Sequence, residues 1–138
     1  MKYIIIVLSI IFMSDVGTCL GIEQSICSPG SEITFYPNGK LKTCTLKENF
    51  VLNGVTCNQS APISLYESGK LKSCDTSKYF QYGAITCNQF SHVKFYESGK
   101  LDTCELSKTI QIDGKTCDQL ELIYLFENGK LKSCSKPQ

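Results

Sequence analysis

The sequence predicts an all-β fold, an antiparallel array of β-hairpins drawn out as an elongated sheet or a β-solenoid and stapled by disulfides. Three observations predict it. A unit of 30 residues repeats, each unit carries two hairpin-turn motifs, and eight cysteines fall in a regular cadence. Repeats of this size cannot bury an apolar face alone, so neighbouring units must cover one another.

The first motif is Phe35-Tyr-Pro-Asn-Gly-Lys-Leu-Lys42. It recurs as Leu65-Tyr-Glu-Ser-Gly-Lys-Leu-Lys72, Phe95-Tyr-Glu-Ser-Gly-Lys-Leu-Asp102 and Leu125-Phe-Glu-Asn-Gly-Lys-Leu-Lys132. The second is Leu52-Asn-Gly-Val-Thr-Cys57, then Tyr82-Gly-Ala-Ile-Thr-Cys87 and Ile112-Asp-Gly-Lys-Thr-Cys117. Residues 19–138 therefore form a single repeat domain. A cap at 20–30, in which Ile22 to Cys27 is a degenerate second motif, leads into units 31–60, 61–90 and 91–120. A half unit, 121–138, closes the chain.

In the second motif, Asn53-Gly54 and Asp113-Gly114 suit a two-residue type I′ turn and Gly83-Ala84 a type II′ turn. Phe50 then pairs with Cys57 and Leu52 with Val55, which leaves Phe50, Leu52 and Val55 on one apolar face. Phe80, Tyr82 and Ile85 repeat it in the next unit.

In the first motif, a three-residue loop Glu67-Ser68-Gly69 with a left-handed glycine pairs Tyr66 with Lys70 and Leu65 with Leu71. That register puts Ile63, Leu65 and Leu71 on one face and Ser64, Tyr66, Lys70 and Lys72 on the other. It also sets Lys94 directly opposite Asp102, which replaces the lysine of the other units and avoids a like-charge pair.

The aromatic-Asn/Ser-Gly-Lys-Leu hairpin resembles the MORN repeat, and more closely the MORN-like variant repeats of bacterial antitoxin-type proteins. The resemblance runs over residues 31–134. It implies an extended hairpin array with an interaction role, in which MORN proteins are often linked to membrane lipids or partner proteins, and it implies no catalytic residues. The chain departs from that pattern in having no Trp, a longer unit and its own cysteines. An antitoxin acts in the cytoplasm, which fits poorly with the leader described next.

Residues 1–18 have the layout of a secretory signal peptide: Lys2, an apolar run from Tyr3 to Met13, then small and polar residues. The run is shorter than the ~20 residues a membrane span needs. Val16-Gly17-Thr18-Cys19 resembles a bacterial lipobox, although Thr18 departs from the usual Gly, Ala or Ser. Cys19 is the expected lipid anchor of an extracytoplasmic chain, either a membrane-anchored lipoprotein or, if cleavage removes Cys19, a secreted protein.

After Cys19 the cysteines alternate in steps of 17 and 13 residues. Behind a leader they read as a disulfide framework. Joining across the longer steps gives Cys27–Cys44, Cys57–Cys74, Cys87–Cys104 and Cys117–Cys134 with none left over. Joining across the shorter steps orphans Cys27 and Cys134. The first scheme is preferred on this count, although strict alternation puts Cys57 on the apolar face and Cys74 on the polar one. The connection Asn58–Ala61 would then have to bend.

Metal binding and a cofactor are not expected, because no Cys pair has zinc-finger spacing. Nor is catalysis: His92, the one histidine, is the only base for a cysteine nucleophile, and Glu67, Glu97 and Glu127 lie in repeated turns. Nucleic acid is not an expected partner, since 14 Lys and no Arg balance 13 acids for a net charge of +1. The Asn58-Gln59-Ser60 sequon is a single weak signal.

Along the array, Tyr36, Tyr66, Tyr96 and Phe126 would form an aromatic row with Lys40, Lys70, Lys100 and Lys130 opposite. Such a stripe suits sugars, an anionic polymer or an acidic protein surface. It also suits rings that shield the sheet under snorkelling lysines. The expected role is a non-catalytic exported protein presenting an interaction surface to an unknown protein or envelope polymer. The alternative is a small envelope-associated enzyme.

Overall fold

The computed structural model describes residues 22–138, so the expected signal segment, residues 1–18, and Cys19 lie outside the described residues. The first-motif hairpins are β1 (Thr34–Phe35) with β2 (Leu41–Thr45), β5 (Pro62–Leu65) with β6 (Leu71–Asp75), β9 (His92–Phe95) with β10 (Leu101–Glu105), and β13 (Leu122–Leu125) with β14 (Leu131–Ser135). They join edge to edge in one antiparallel sheet of eight strands, ordered β1-β2-β5-β6-β9-β10-β13-β14. The second-motif hairpins stay out of it. β3 (Phe50–Leu52) pairs only with β4 (Val55–Cys57), β7 (Phe80–Tyr82) with β8 (Ile85–Cys87), and β11 (Ile110–Ile112) with β12 (Lys115–Cys117). Each is a small flap between two hairpins of the long sheet.

Turn chemistry fixes both registers as the sequence implies. Asn53 and Gly54 both have positive φ (53° and 78°), as a type I′ turn requires, whereas of Gly83-Ala84 only Gly83 does (φ 57°), as type II′ requires. In the other hairpin Tyr66 N donates to Lys70 O at 2.8 Å, Gly69 N donates to Tyr66 O at 2.8 Å, and Gly69 takes a φ of 84°. Leu65 pairs with Leu71.

One residue later the register slips. Ser64 pairs with Ser73 while Leu65 pairs with Leu71, so Lys72 is an extra residue in β6. The same bulge recurs in the other three hairpins. A bulge sets two residues against one and reverses the alternation beyond it. Leu71 and Cys74, three apart, therefore both point inward and are fully buried. This corrects the expectation that Cys74 lies on the polar face, because the bulge in β6 re-aims it; the connection Asn58–Ala61 does bend as expected, with Ser60 at a φ of 60°. It also corrects the pairing of Lys94, which stands opposite Thr103; Asp102 is the bulged residue beside it.

The inner face of the sheet supplies Leu41, Ile63, Leu65, Leu71, Val93, Phe95, Leu101, Ile123 and Leu125 to a single buried cluster. The flaps lie against it through Val55 and Ile85, with Phe50, Leu52, Phe80 and Tyr82 packed alongside. Phe80 meets Phe95 edge to face at 5.7 Å between centroids. In the last described flap Lys115 replaces Val55 and Ile85 and is exposed.

The disulfides fasten flap to sheet. Cys27–Cys44, Cys57–Cys74, Cys87–Cys104 and Cys117–Cys134 each span 17 residues, with Cα atoms 5.7 to 5.8 Å apart. At the Cys57–Cys74 joint Cys57 bridges to Thr76, and Asn58 N donates to Asp75 O at 2.7 Å. The bulge and this bridge together bring the two cysteines within bonding reach.

Candidate binding face

Flaps and disulfides cover one face of the long sheet and leave the other open. Pairing aligns a lane straight across the open face: Thr34, Thr43, Ser64, Ser73, Lys94, Thr103, Tyr124 and Ser133. Six of the eight are Thr or Ser, small enough to leave the sheet accessible to a ligand laid across the strands. Thr34 and Thr43 share a hydrogen bond of 2.6 Å between hydroxyls. Thr103 differs from the rest, since it is only 8% exposed and its Oγ1 has no hydrogen-bond partner.

Beside this lane, toward the hairpin turns, lies the aromatic row. The structure aligns Tyr36, Tyr66, Tyr96 and Phe126, and each tyrosine is committed to a task that sequence reasoning missed. The Tyr36 hydroxyl donates to Leu65 O, that of Tyr66 to Phe95 O and that of Tyr96 to Leu125 O, all at 2.8 Å and all 29 residues apart. Every tyrosine thus reaches from its own hairpin to the next. Phe126, in the last described hairpin, lacks the hydroxyl. The Asn38 amide joins successive turns in the same sense, donating to Glu67 Oε1 at 3.0 Å.

The cations are displaced from their expected places. Lys40, Lys70, Lys100 and Lys130 do stand opposite the aromatics, but by backbone pairing. The ammonium groups over the rings belong to the bulged lysines: Lys42 over Tyr36 at 5.5 Å, Lys72 over Tyr66 at 5.6 Å and Lys132 over Phe126 at 5.9 Å. Their signal was the Lys-Leu-Lys run, whose second lysine becomes the ring partner once the bulge is recognised. In the third unit Asp102 takes that place. Burial, first, and the negative charge of Asp102 raise the phenol pKa of both Tyr66 and Tyr96 above its ordinary value.

The acids on the far side of the lane are partly engaged. Asp75 Oδ1 accepts from His92 Nδ1 at 2.8 Å, and Glu105 accepts from the Asn88 amide at 2.7 Å. All eight cysteines of the cadence are oxidised, so none is a thiolate for His92 to activate. Cys117, Glu121 and Cys134 are close enough to suggest a metal site, but both sulfurs are tied up in their disulfide and are poor ligands.

Among curated proteins and among solved structures nothing matches this chain. A family model described as the MORN repeat variant matches residues 29–46. That segment is β1, its turn and β2, and the other three hairpins of the long sheet repeat its loop, its bulge and its aromatic residue. The hairpin of residues 29–46 is thus similar to a MORN repeat variant.

Proposed function

We propose that this chain is a non-catalytic, exported repeat protein whose open sheet face is an interaction surface at the cell envelope. The observation that carries this reading is the asymmetry of the sheet. One face is sealed by flaps and disulfides, while the other repeats an aromatic row beside a lane rich in Thr and Ser, with a lysine over the ring in three hairpins and Asp102 in that place in the third unit. An active site singles out one place, whereas a repeated face suits an extended partner. The partner is a protein or an envelope polymer. Nucleic acid is disfavoured by a net charge of +1 without arginine.

Four disulfides suit an oxidising, extracytoplasmic compartment. Residues 1–18 supply the export signal in this reading, and Cys19 supplies a lipid anchor, with several acyl chains giving stable attachment. In the native host the wild type should enter the detergent phase and Cys19→Ser should not. If both remain aqueous, the anchor is discarded and the protein is secreted.

The face itself is tested by placing charge on each side of the molecule. Ser64→Glu with Ser73→Glu alters the open face, and Val51→Glu with Gln111→Glu alters the exposed side of the flaps. Retention on native envelope material should fall only for the first pair. Equal retention by both would sink the reading.

A further inference from the structure

The geometry points to a divalent transition-metal site on the open face, formed by Asp75, His92 and Glu105 on three adjacent strands and suited to Zn2+. It stands apart from the interaction-surface reading and does not depend on it. β9 runs between β6 and β10. His92 pairs with Asp75 on one side. On the other side Thr103 pairs with Lys94 and Cys104 with Val93, and the same register one step further sets Glu105 opposite His92. Cys74 and Val93 are buried on the inner face, so their neighbours Asp75 and His92 stand on the open one. An imidazole is thus flanked by two carboxylates, each one strand, ~4.8 Å, away.

The cluster is where the face departs from its repeat. At the positions of Asp75 and Glu105 the outer hairpins have Thr45 and Ser135. At the position of His92 the units on either side have Pro62 and Leu122. Pairing sets all of them in one lane, with the three polar side chains at its centre. The hairpin fold asks for neither a histidine nor an acid here, because the neighbouring units fold without them. An exposed ion pair such as Asp75 with His92 adds little stability in itself.

The donors suit the ion. Hard cations such as Ca2+ take oxygen ligands in larger number, whereas an imidazole among carboxylates selects a transition ion. Two carboxylates and a neutral imidazole balance the charge of Zn2+. Part of the site is already in place. His92 Nδ1 and Asp75 Oδ1 are 2.8 Å apart, and two donors of one zinc ion lie about 3.0 to 3.4 Å apart at ordinary bond lengths. The ion replaces the proton between them, with the imidazole proton held on Nε2 instead. Glu105 Oε1 is turned toward Asn88, accepting from its Nδ2 at 2.7 Å, and exchanges that bond for the ion. Lys94, two residues along β9 on the same face, is exposed and carries its ammonium into solvent. Three protein ligands leave a fourth position for water or for a donor from a partner. The expectation of no metal rests on cysteine spacing, and this site uses no cysteine.

The test uses the untagged, oxidised mature chain carrying Cys19→Ser, so that no free thiol competes for the metal. Calorimetric titration with zinc chloride is read beside NMR of the imidazole. His92 is the single histidine, so its ring signals report this site alone. A single Zn2+ should bind, and the ring signals should shift in step with the titration. His92→Gln should abolish binding, and Asp75→Asn and Glu105→Gln should each weaken it at least ~10-fold. Glu97→Gln, in an exposed turn, should leave affinity unchanged. Circular dichroism should be the same for every variant, and Ca2+ should bind far more weakly than Zn2+.

Three results would overturn the assignment. Absence of zinc binding, or binding that leaves the His92 signals unmoved, would make Asp75 and His92 a plain surface ion pair. Zinc retained by His92→Gln, or Ca2+ bound as tightly as Zn2+, would make the cluster an acidic patch without metal selectivity. Full affinity in Glu105→Gln would remove the third strand from the site.

Discussion

The tyrosine tethers give the sharpest quantitative expectation. Tyr66→Phe removes one hydroxyl that donates to Phe95 O at 2.8 Å and leaves the ring in place. A neutral hydrogen bond of this kind contributes about 1 kcal/mol net. Unfolding entropy is ~2.1 cal/mol/K per residue, so for the described chain, residues 22–138, that loss lowers Tm by about 4 °C. The three tethers are ~9.6 Å apart and share no partner, so their effects should add. The triple variant at Tyr36, Tyr66 and Tyr96 should therefore fall by roughly 12 °C. Phe126→Tyr is the internal control, because the described residues include no following hairpin to accept its hydroxyl, and Tm should not move. The ring–lysine contact is not the cause, since Lys132 sits over Phe126 at 5.9 Å without any hydroxyl. The assay is differential scanning calorimetry without reductant. A triple variant melting with the wild type, or a clear gain from Phe126→Tyr, would refute the reasoning.

Alkaline titration should reveal the same groups. The phenols of Tyr66 and Tyr96 have raised pKa values in the fold, from burial first and then nearby negative charge including Asp102. Their contribution is complete below the unfolded value near 10 and is lost as pH rises through the folded value. Stability should fall in that window, and more gently in Tyr66→Phe/Tyr96→Phe. Removing one staple with Cys57→Ser/Cys74→Ser should cost about 3 kcal/mol in the chain-entropy model for a 17-residue step, read by urea denaturation. Phe90 is 67% exposed with a φ of 54°, at the position where the cap has Gly30. Phe90→Gly should relieve the left-handed strain and stabilise the chain by up to ~1 kcal/mol in the same assay.

Turn chemistry and periodicity were legible because they are local. Asn53-Gly54 and the three-residue loop ending at Gly69 dictate their own registers, and the observed pairs Leu52 with Val55 and Leu65 with Leu71 follow from them. Beyond Leu71 the alternation rule fails, because a bulge is one extra residue that no turn dipeptide announces. Its trace is in the sequence all the same. Leu71 and Cys74 are an odd number of residues apart, yet both are apolar and both must face the core. Counting cysteines selected the same pairs that the geometry brings together, but the conflict over Cys74 was itself the sign of the bulge. The candidate face was legible as a row of aromatics. Which lysine meets each ring, and the unbroken lane from Thr34 to Ser133, needed the register of the whole sheet.

The joints between hairpins are interchangeable. An in-frame loss of residues 61–90 would bring Tyr36 to Phe95 O and Cys57 to Cys104, each meeting the partner type it now has. A duplicated copy would be accepted on the same terms. Such a chain can act as a ruler, with its reach changed by whole modules of ~9.6 Å while the face and its staples stay the same.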